Sequence, residues 1–371
     1  MSLAAVLQIG SLGDSVVSTP VIRSLRERLP DCEDYLLVSR HDTKLKVMPA
    51  DIFEMVWKRK HSIDYRGTGG RAKQSFSVAS LLAQLRYYRP KYAVYLMPVT
   101  RSAKQVQRDK LFFRAGGVGN FVGFREMTAG ELNHAPCPNF RGSESFLRFS
   151  RVWDELSEEK FGAYSKPPVF TPDAAARERV RSWLRASGVA PEAKLIALCP
   201  FSNQAAKNWP AESFAEVCRR LAHEVGAAFV VIGGSKDALP AQHLISSIPG
   251  NLNSCGLFSA AESAALLENC RLLLGVDSGP MHLAAGVGVP TVTVFSRVAP
   301  LLCRWFPLGQ NHTVLYRDVA CAGCRAVSAC PLPDHPCLSI PVEDVYNAVL
   351  RSLGVPNSAA PWSSGTKVAI W

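Results

Sequence analysis

The stretch Leu272 to Phe295, LLLGVDSGPMHLAAGVGVPTVTVF, leaves the chain few choices of fold. Its apolar opening, Leu272-Leu273-Leu274-Gly275-Val276, is short enough to be a buried strand rather than a helix. Asp277-Ser278-Gly279-Pro280 then reads as a helix start, with a capping Asp or Ser and Pro at or near the first helical position. Met281-His282-Leu283-Ala284-Ala285 fills a short helix that Gly286 and Gly288 can end. After Pro290, Thr291-Val292-Thr293-Val294-Phe295 is a second β-rich run. Strand, turn, helix and strand make a βαβ unit, and in open α/β sheets ligands bind beyond the carboxyl ends of the strands. Backbone N–H groups of Ser278 and Gly279, with the helix dipole behind them, suit a phosphate there. On this stretch alone an ordinary βα turn with a capping Asp is the favoured reading.

The same plan recurs along the chain. Ala4 to Ile9 reads as a first buried strand, Gly10-Ser11-Leu12-Gly13-Asp14 as a glycine loop, and Val21, Ile22, Leu25 and Leu29 as the apolar face of a helix. The loop is neither the three-glycine dinucleotide fingerprint nor a Walker loop. It offers one carboxylate, Asp14, beside a glycine, and taken alone a helix cap accounts for that carboxylate more simply than chemistry does. Strands are expected at Tyr35–Val38, Tyr92–Leu96, Leu195–Pro200 and Phe229–Ile232, and helices at Ser77–Tyr88, Ser143–Leu156, Asp173–Ser187 and Pro341–Leu353. Lys58 to His61, with Arg66, Arg71 and Lys73, reads as a basic glycine-containing loop. This alternation predicts parallel, doubly wound sheets. Two such domains, 1–168 and 169–354, meet at the Pro-bounded segment Lys166-Pro167-Pro168, and they are expected to face each other across a cleft. The last helix is placed to pack back on the first domain, and 355–371 is left as an unstructured tail.

A chain of 371 residues can give each of two domains its own core. No apolar run is long enough to span a bilayer, and the N-terminus goes straight into a strand pattern without a basic signal-peptide region, so a cytoplasmic protein is expected. Eleven cysteines then imply reduced thiols or a metal site rather than disulfides. Cys321, Cys324, Cys330 and Cys337 lie together in a Pro-rich loop whose spacing allows a structural tetrathiolate zinc or iron site; a set of free thiols is the alternative. The charge is uneven. Residues 1–168 hold 26 Lys and Arg against 17 Asp and Glu, net +9, and the remainder holds 16 against 14, net +2. A basic first half points to an anionic partner, whether nucleic acid, anionic lipid or a phosphorylated glycan, with Arg59, Lys60 and Arg101 as candidate contacts; a solvated basic surface is the alternative.

Four motifs in order resemble glycosyltransferase family 9, the ADP-heptose:lipopolysaccharide heptosyltransferases. They are GSLGD at 10–14 with Thr19-Pro20, KNWP at 207–210 with Phe214-Ala215-Glu216, IGG at 232–234 with Asp237, and DSGPMHLAAGVGVPTVTVF at 277–295. The resemblance implies a GT-B architecture, an acceptor bound by the first domain and a nucleotide-sugar by the second. It implies Asp14 as the base, Lys207 on the donor phosphates with Ser202 as helper, Asp277, Ser278, Gly279 and His282 in the donor-binding turn, and Asp237 near the ribose. It also implies ADP-heptose as donor, lipopolysaccharide inner core as acceptor, and peripheral contact with the cytoplasmic face of the inner membrane. The chain departs from the family pattern at Gln8, at Met97-Pro98 and at Ser296 to Pro300.

The chemistry coheres. An acceptor hydroxyl attacking an anomeric carbon needs a base, and a departing diphosphate needs positive charge, which Lys207 and the N–H groups of Ser278 and Gly279 supply. With those donors no metal or other cofactor is required for the leaving group, and attack from the opposite face inverts the anomeric carbon. Two rivals stand beside this: a nucleotide-sugar epimerase of similar architecture, and a non-enzymatic binder of anionic polymer. No nucleic-acid module accompanies the basic residues.

Overall fold

The computed structural model describes residues 2–39, 49–64, 71–132, 140–153, 158–246, 248, 250–296, 304–321, 330–355 and 361–370. The chain divides into two compact units, one built up to Phe170 and the other from Thr171 onward.

The first unit carries a parallel five-stranded sheet, ordered β3-β2-β1-β4-β5. Its strands are β1 (Ser2–Leu7), β2 (Cys32–Ser39), β3 (Arg59–Asp64), β4 (Tyr92–Tyr95) and β5 (Asn120–Val122). Ala4, Ala5 and Val6 of β1 are fully buried, as expected for a central strand covered on both faces. The covering helices include α1 (Leu12–Val17), α2 (Thr19–Arg28), α3 (Pro49–Phe53), α4 (Arg71–Tyr88), α5 (Ala103–Ala115), α6 (Ala129–Leu132), α7 (Glu144–Val152) and α8 (Glu158–Ser165). Pro20 stands in the first turn of α2, where its missing N–H costs nothing.

The segment expected to be a basic loop at Lys58–His61 is instead the start of edge strand β3. A buried Ile63 anchors it, and the charged residues that suggested a loop occupy an edge, where charge is tolerated. The glycines 67, 69 and 70 lie outside the described residues.

The second unit holds a seven-stranded sheet, ordered β12-β11-β10-β9-β6-β7-β8, parallel except for β12. In chain order it comprises α9 (Ala174–Ala186), β6 (Lys194–Cys199), α10 (Ala211–Val225), β7 (Ala227–Val231), α11 (Ala238–Ile245), β8 (Asn251–Asn253) and α12 (Ala260–Glu268). β9 (Leu272–Val276), α13 (Gly279–Gly286), β10 (Thr291–Val294), β11 (His312–Tyr316), α14 (Val342–Ser352) and β12 (Lys367–Ile370) complete it. The βαβ unit read from Leu272 to Phe295 is present at the center of this sheet.

At the C-terminus the expectation of an unstructured tail fails, and the anchors of that tail begin with the last helix. Helix α14 buries Val345, Ala348 and Val349 in the core of the second unit, against α10 and β10. The two buried valines contribute about 1.5–3 kcal/mol each, which fixes the helix there. The tail supplies β12, antiparallel to β11 with Thr313 opposite Ile370. Arg351 stacks on Trp362 at 4.0 Å, and Ser363 donates from its amide and its hydroxyl to Asp344 at 3.0 Å each. A Ser/Pro/Ala-rich composition hides these anchors because each partner lies well back in the chain.

Candidate functional site

In each sheet the central candidates, Asp14 in the first and Lys207, Asp277 and Ser278 in the second, follow the carboxyl ends of strands beside the switch point, where chain order reverses across the sheet. In the first unit that strand is β1. Ser11 is the N-cap of α1 and Asp14 its third helical residue, joined as a capping box. The Ser11 amide donates to Asp14 Oδ2 at 2.9 Å and the Ser11 hydroxyl at 3.1 Å. A Cβ on Gly10 would fall 2.4 Å from the Asp14 Cβ, so only glycine permits this approach.

The other carboxylate oxygen is held from far along the chain. Arg148 of α7 donates from Nη2 to Asp14 Oδ1 at 2.8 Å, and from Nη1 to the Asp14 carbonyl at 3.0 Å and Ser18 Oγ at 2.7 Å. Its Nε donates to Glu144 Oε1 at 2.9 Å. Arg148 and Glu144 are sealed from solvent, whereas the Asp14 side chain keeps 19% exposure. Burial alone would weaken the hold of Arg148 on its proton, but Glu144 and Asp14 outweigh it and raise its pKa. Asp14 is therefore both a capping carboxylate and an oriented, partly open one.

Neither Arg148 nor Glu144 was named from sequence. The available signal was a short helix with Phe146, Leu147, Phe149 and Val152 interleaved with charges four and three residues apart, all of it buried. Arg151, one turn on, donates to the carbonyls of Met97 and Pro98 at 2.5 and 3.3 Å. Burial and then Arg148 push its pKa down to about 10. The main-chain carbonyls of Met97 and Pro98 thus serve a buried guanidinium, a role that does not depend on their side chains.

The basic candidates separate. Strand register sets Arg59 opposite Tyr35, and Tyr35 opposite Ala4, at the amino-terminal edge of the sheet and away from the Asp14 turn. Arg59 is also paired with Glu54 at 2.7 Å, and Lys60 is exposed beside it. Arg101 follows the carboxyl end of β4, on the same edge as Asp14.

In the second unit the loops after β6 and β9 flank the switch point. Lys207, closing a 3-10 turn at Ala205–Lys207, donates to Asp277 Oδ2 at 2.7 Å, with side-chain exposures of 13% and 5%. Ser278 is the N-cap of α13, yet its hydroxyl meets Cys199 Sγ at 3.0 Å instead of capping the helix. That leaves the first-turn amides of an eight-residue helix, with Pro280 in the turn, as anion donors. Half-buried Ser202 is held within its own loop: its amide donates to Asn208 Oδ1 at 2.8 Å and its hydroxyl accepts from the Gln204 amide at 3.2 Å. Buried His282 lies edge-on to Trp305 at 6.1 Å. Asp237, one strand away after β7, accepts from the Gly234 amide at 2.9 Å.

Cys324 lies outside the described residues, and Cys321 and Cys330 are half-buried while Cys337 is buried. Among the described residues no group of three or more His, Cys, Asp or Glu side chains could hold a metal, and no helix is long and apolar enough to cross a membrane.

Comparison with known proteins bears on the family and the fold. Residues 153–332 match the family model described as glycosyltransferase family 9 (heptosyltransferase). Lipopolysaccharide heptosyltransferase 3 of Escherichia coli is 29% identical over 81% of this chain and 84% of its own length. With lipooligosaccharide heptosyltransferase 2 of Haemophilus influenzae the identity is 26%, and the match spans 40% of this chain and only 44% of that protein. The solved family 9 glycosyltransferase of Veillonella parvula superposes with a TM-score of 0.71 at 19% identity, covering 95% and 97% of the two chains. E. coli ADP-heptose lipopolysaccharide heptosyltransferase II gives 0.68 at 16%, covering 95% and 98%. The fold is GT-B.

Proposed function

The chain belongs to glycosyltransferase family 9, and we propose that it is an inverting glycosyltransferase moving a heptose from ADP-heptose to the inner core of lipopolysaccharide. The observation that carries this is the Asp14 carboxylate, fixed on both oxygens and still partly open at the carboxyl end of the central strand. In this reading Asp14 takes the proton as the acceptor hydroxyl attacks the anomeric carbon, and a positioned base of this kind contributes about 10²–10⁴ in rate. The glycosidic bond to the diphosphate breaks as the new one forms, and the configuration inverts.

The leaving ADP meets the first-turn amides of α13 and the Lys207 ammonium. Because Lys207 rests on Asp277, its charge reaches a phosphate only by exchanging that partner or bridging both. Ser278, Gly279 and His282 line the same turn, and Asp237 stands one strand over at the ribose side. Arg101 is the basic residue best placed for the anionic acceptor. In this reading leaving-group departure requires no metal, and a structural ion at Cys321, Cys324, Cys330 and Cys337 is a separate proposal, answered by elemental analysis of reduced protein. Work at the cytoplasmic face of the inner membrane follows from the acceptor.

The test is mass-spectrometric. Purified protein is offered ADP-heptose or UDP-sugars with heptose-deficient lipopolysaccharide. One added heptose from the ADP donor is expected; donor epimerised or left intact with no acceptor gain overturns the reading.

A further inference from the structure

Asp14 is held from behind by a cation that water does not reach. Arg148 is 0% exposed and Glu144 1%, and the guanidinium spans both carboxylates, at 2.8 Å to Asp14 and 2.9 Å to Glu144. A buried one-to-one pair would leave Asp14 to answer the whole guanidinium charge. Glu144 takes a share of that charge while the fork keeps Oδ1 in place, and Ser11 keeps Oδ2. Neither Glu144 nor the guanidinium is open to a substrate, so both act through Asp14.

We propose that Arg148 and Glu144 are positioning residues for Asp14: Arg148 fixes the direction of the carboxylate, and Glu144 balances Arg148 so that Asp14 remains able to accept a proton. This rests on Asp14 being the base of the proposed transfer.

The neighbouring charges are consistent with the direction of the effect. Arg151 adds a second buried cation one turn along α7, held on the carbonyls of Met97 and Pro98, and Arg125 beyond it is paired with Glu131, so losing Glu144 leaves Arg148 answered by Asp14. Helix α3, packed on α1, carries Asp51. Helix α2 carries Arg23, Arg26, Glu27 and Arg28; Arg23 donates to the Tyr164 carbonyl at 3.1 Å, and Arg28 lies over Trp153 at 5.2 Å.

Glu144→Gln keeps an acceptor for Arg148 Nε and removes only charge. The expected result is a kcat about tenfold lower, Michaelis constants within about twofold, and an acid limb of the kcat–pH profile moved down by about one unit, since an adjacent unbalanced cation favours the anion. Arg148→Met should move that limb the opposite way and lower kcat about 100-fold, through lost orientation as well as lost charge. Should Arg148→Met fail to fold, the double variant Glu144→Gln/Arg148→Met leaves no unbalanced buried charge from this pair. It is expected to return the limb toward the parent position while kcat stays low.

A purely structural pair would leave the limb unmoved in every folded variant, and that result overturns the proposal. Carbon-detected NMR titration of the Asp14 carboxylate, assigned by its loss in Asp14→Asn, reads the same downward displacement in Glu144→Gln without turnover. A parent that transfers no sugar counts against the proposed function. An unmoved Asp14 titration counts against the roles of Arg148 and Glu144.

Discussion

Two turns of this molecule are built alike and differ in one partner. After β1, Gly10 precedes Ser11, whose amide donates to Asp14 Oδ2 at 2.9 Å. After β7, Gly233 precedes Gly234, whose amide donates to Asp237 Oδ2 at 2.9 Å. In each, the carboxylate occupies space that a Cβ on the first glycine would need. Asp14 is then gripped by buried Arg148, 134 residues along the chain, whereas among the described residues Asp237 has no recorded ion pair. Local capping grammar can therefore place a carboxylate at a strand end in either unit. A long-range cation distinguishes a carboxylate held in one orientation from one that closes a turn.

The largest effect expected from this contrast is on turnover. Asp14→Asn should lower kcat by about two to four orders of magnitude, while Asp237→Asn leaves kcat near the parent value and affects the donor Michaelis constant at most a few-fold. Equal losses of kcat in the two variants would erase the distinction. Asn can still accept from Ser11, but Arg148 loses one of its two carboxylates, so Asp14→Asn should also cost about 1–3 kcal/mol in urea unfolding. The cap alone would have implied a near-silent substitution.

The glycines sharpen the contrast at the next level. A Cβ at Gly10 would strike the base of the Asp14 side chain at 2.4 Å, whereas at Gly233 the nearest atom is the carboxylate tip, at 2.9 Å. Gly10→Ala should therefore reduce kcat about 100-fold through displaced geometry, with Gly233→Ala costing a few-fold at most. Steady-state kinetics on the folded variants, with the ranking reversed, would sink this account.

Lys207→Ala comes next. It should raise the donor Michaelis constant about 10- to 100-fold, the worth of a charge-assisted hydrogen bond. Because Asp277 is 5% exposed and loses its ammonium partner, the change should also cost about 1–3 kcal/mol of stability. Titration calorimetry with ADP showing parent-like affinity would remove Lys207 from the donor site.

The smallest effect concerns the basic first unit. Exposed charges are screened over about 8 Å at physiological ionic strength, so the acceptor Michaelis constant should rise with salt more steeply than the donor one. Arg101→Ala should flatten that slope. Arg59→Ala should not, since Arg59 sits at the far edge of its sheet and is paired with Glu54. Matching slopes for both substrates would argue against an electrostatic role for this half.

Features that depend on neighbours within a turn or a strand are legible in the order of residues. Leu272 to Phe295 announces its βαβ unit because hydrophobic run, cap, proline and glycine all act locally, and β9 and α13 begin and end where those residues say. The turns at Asp14 and Asp237 were legible for the same reason. The tertiary structure alone decided which carboxylate meets a buried guanidinium, that Lys207 rests on Asp277 across 70 residues, that Arg59 and Lys60 start an edge strand, and that the tail pairs with β11. Each of these joins groups whose separation in sequence carries no periodic signal. A charged side chain reads the same in sequence whether water or a buried counter-ion surrounds it, and only the closed fold, by excluding water from Arg148 and Glu144, makes that difference physical.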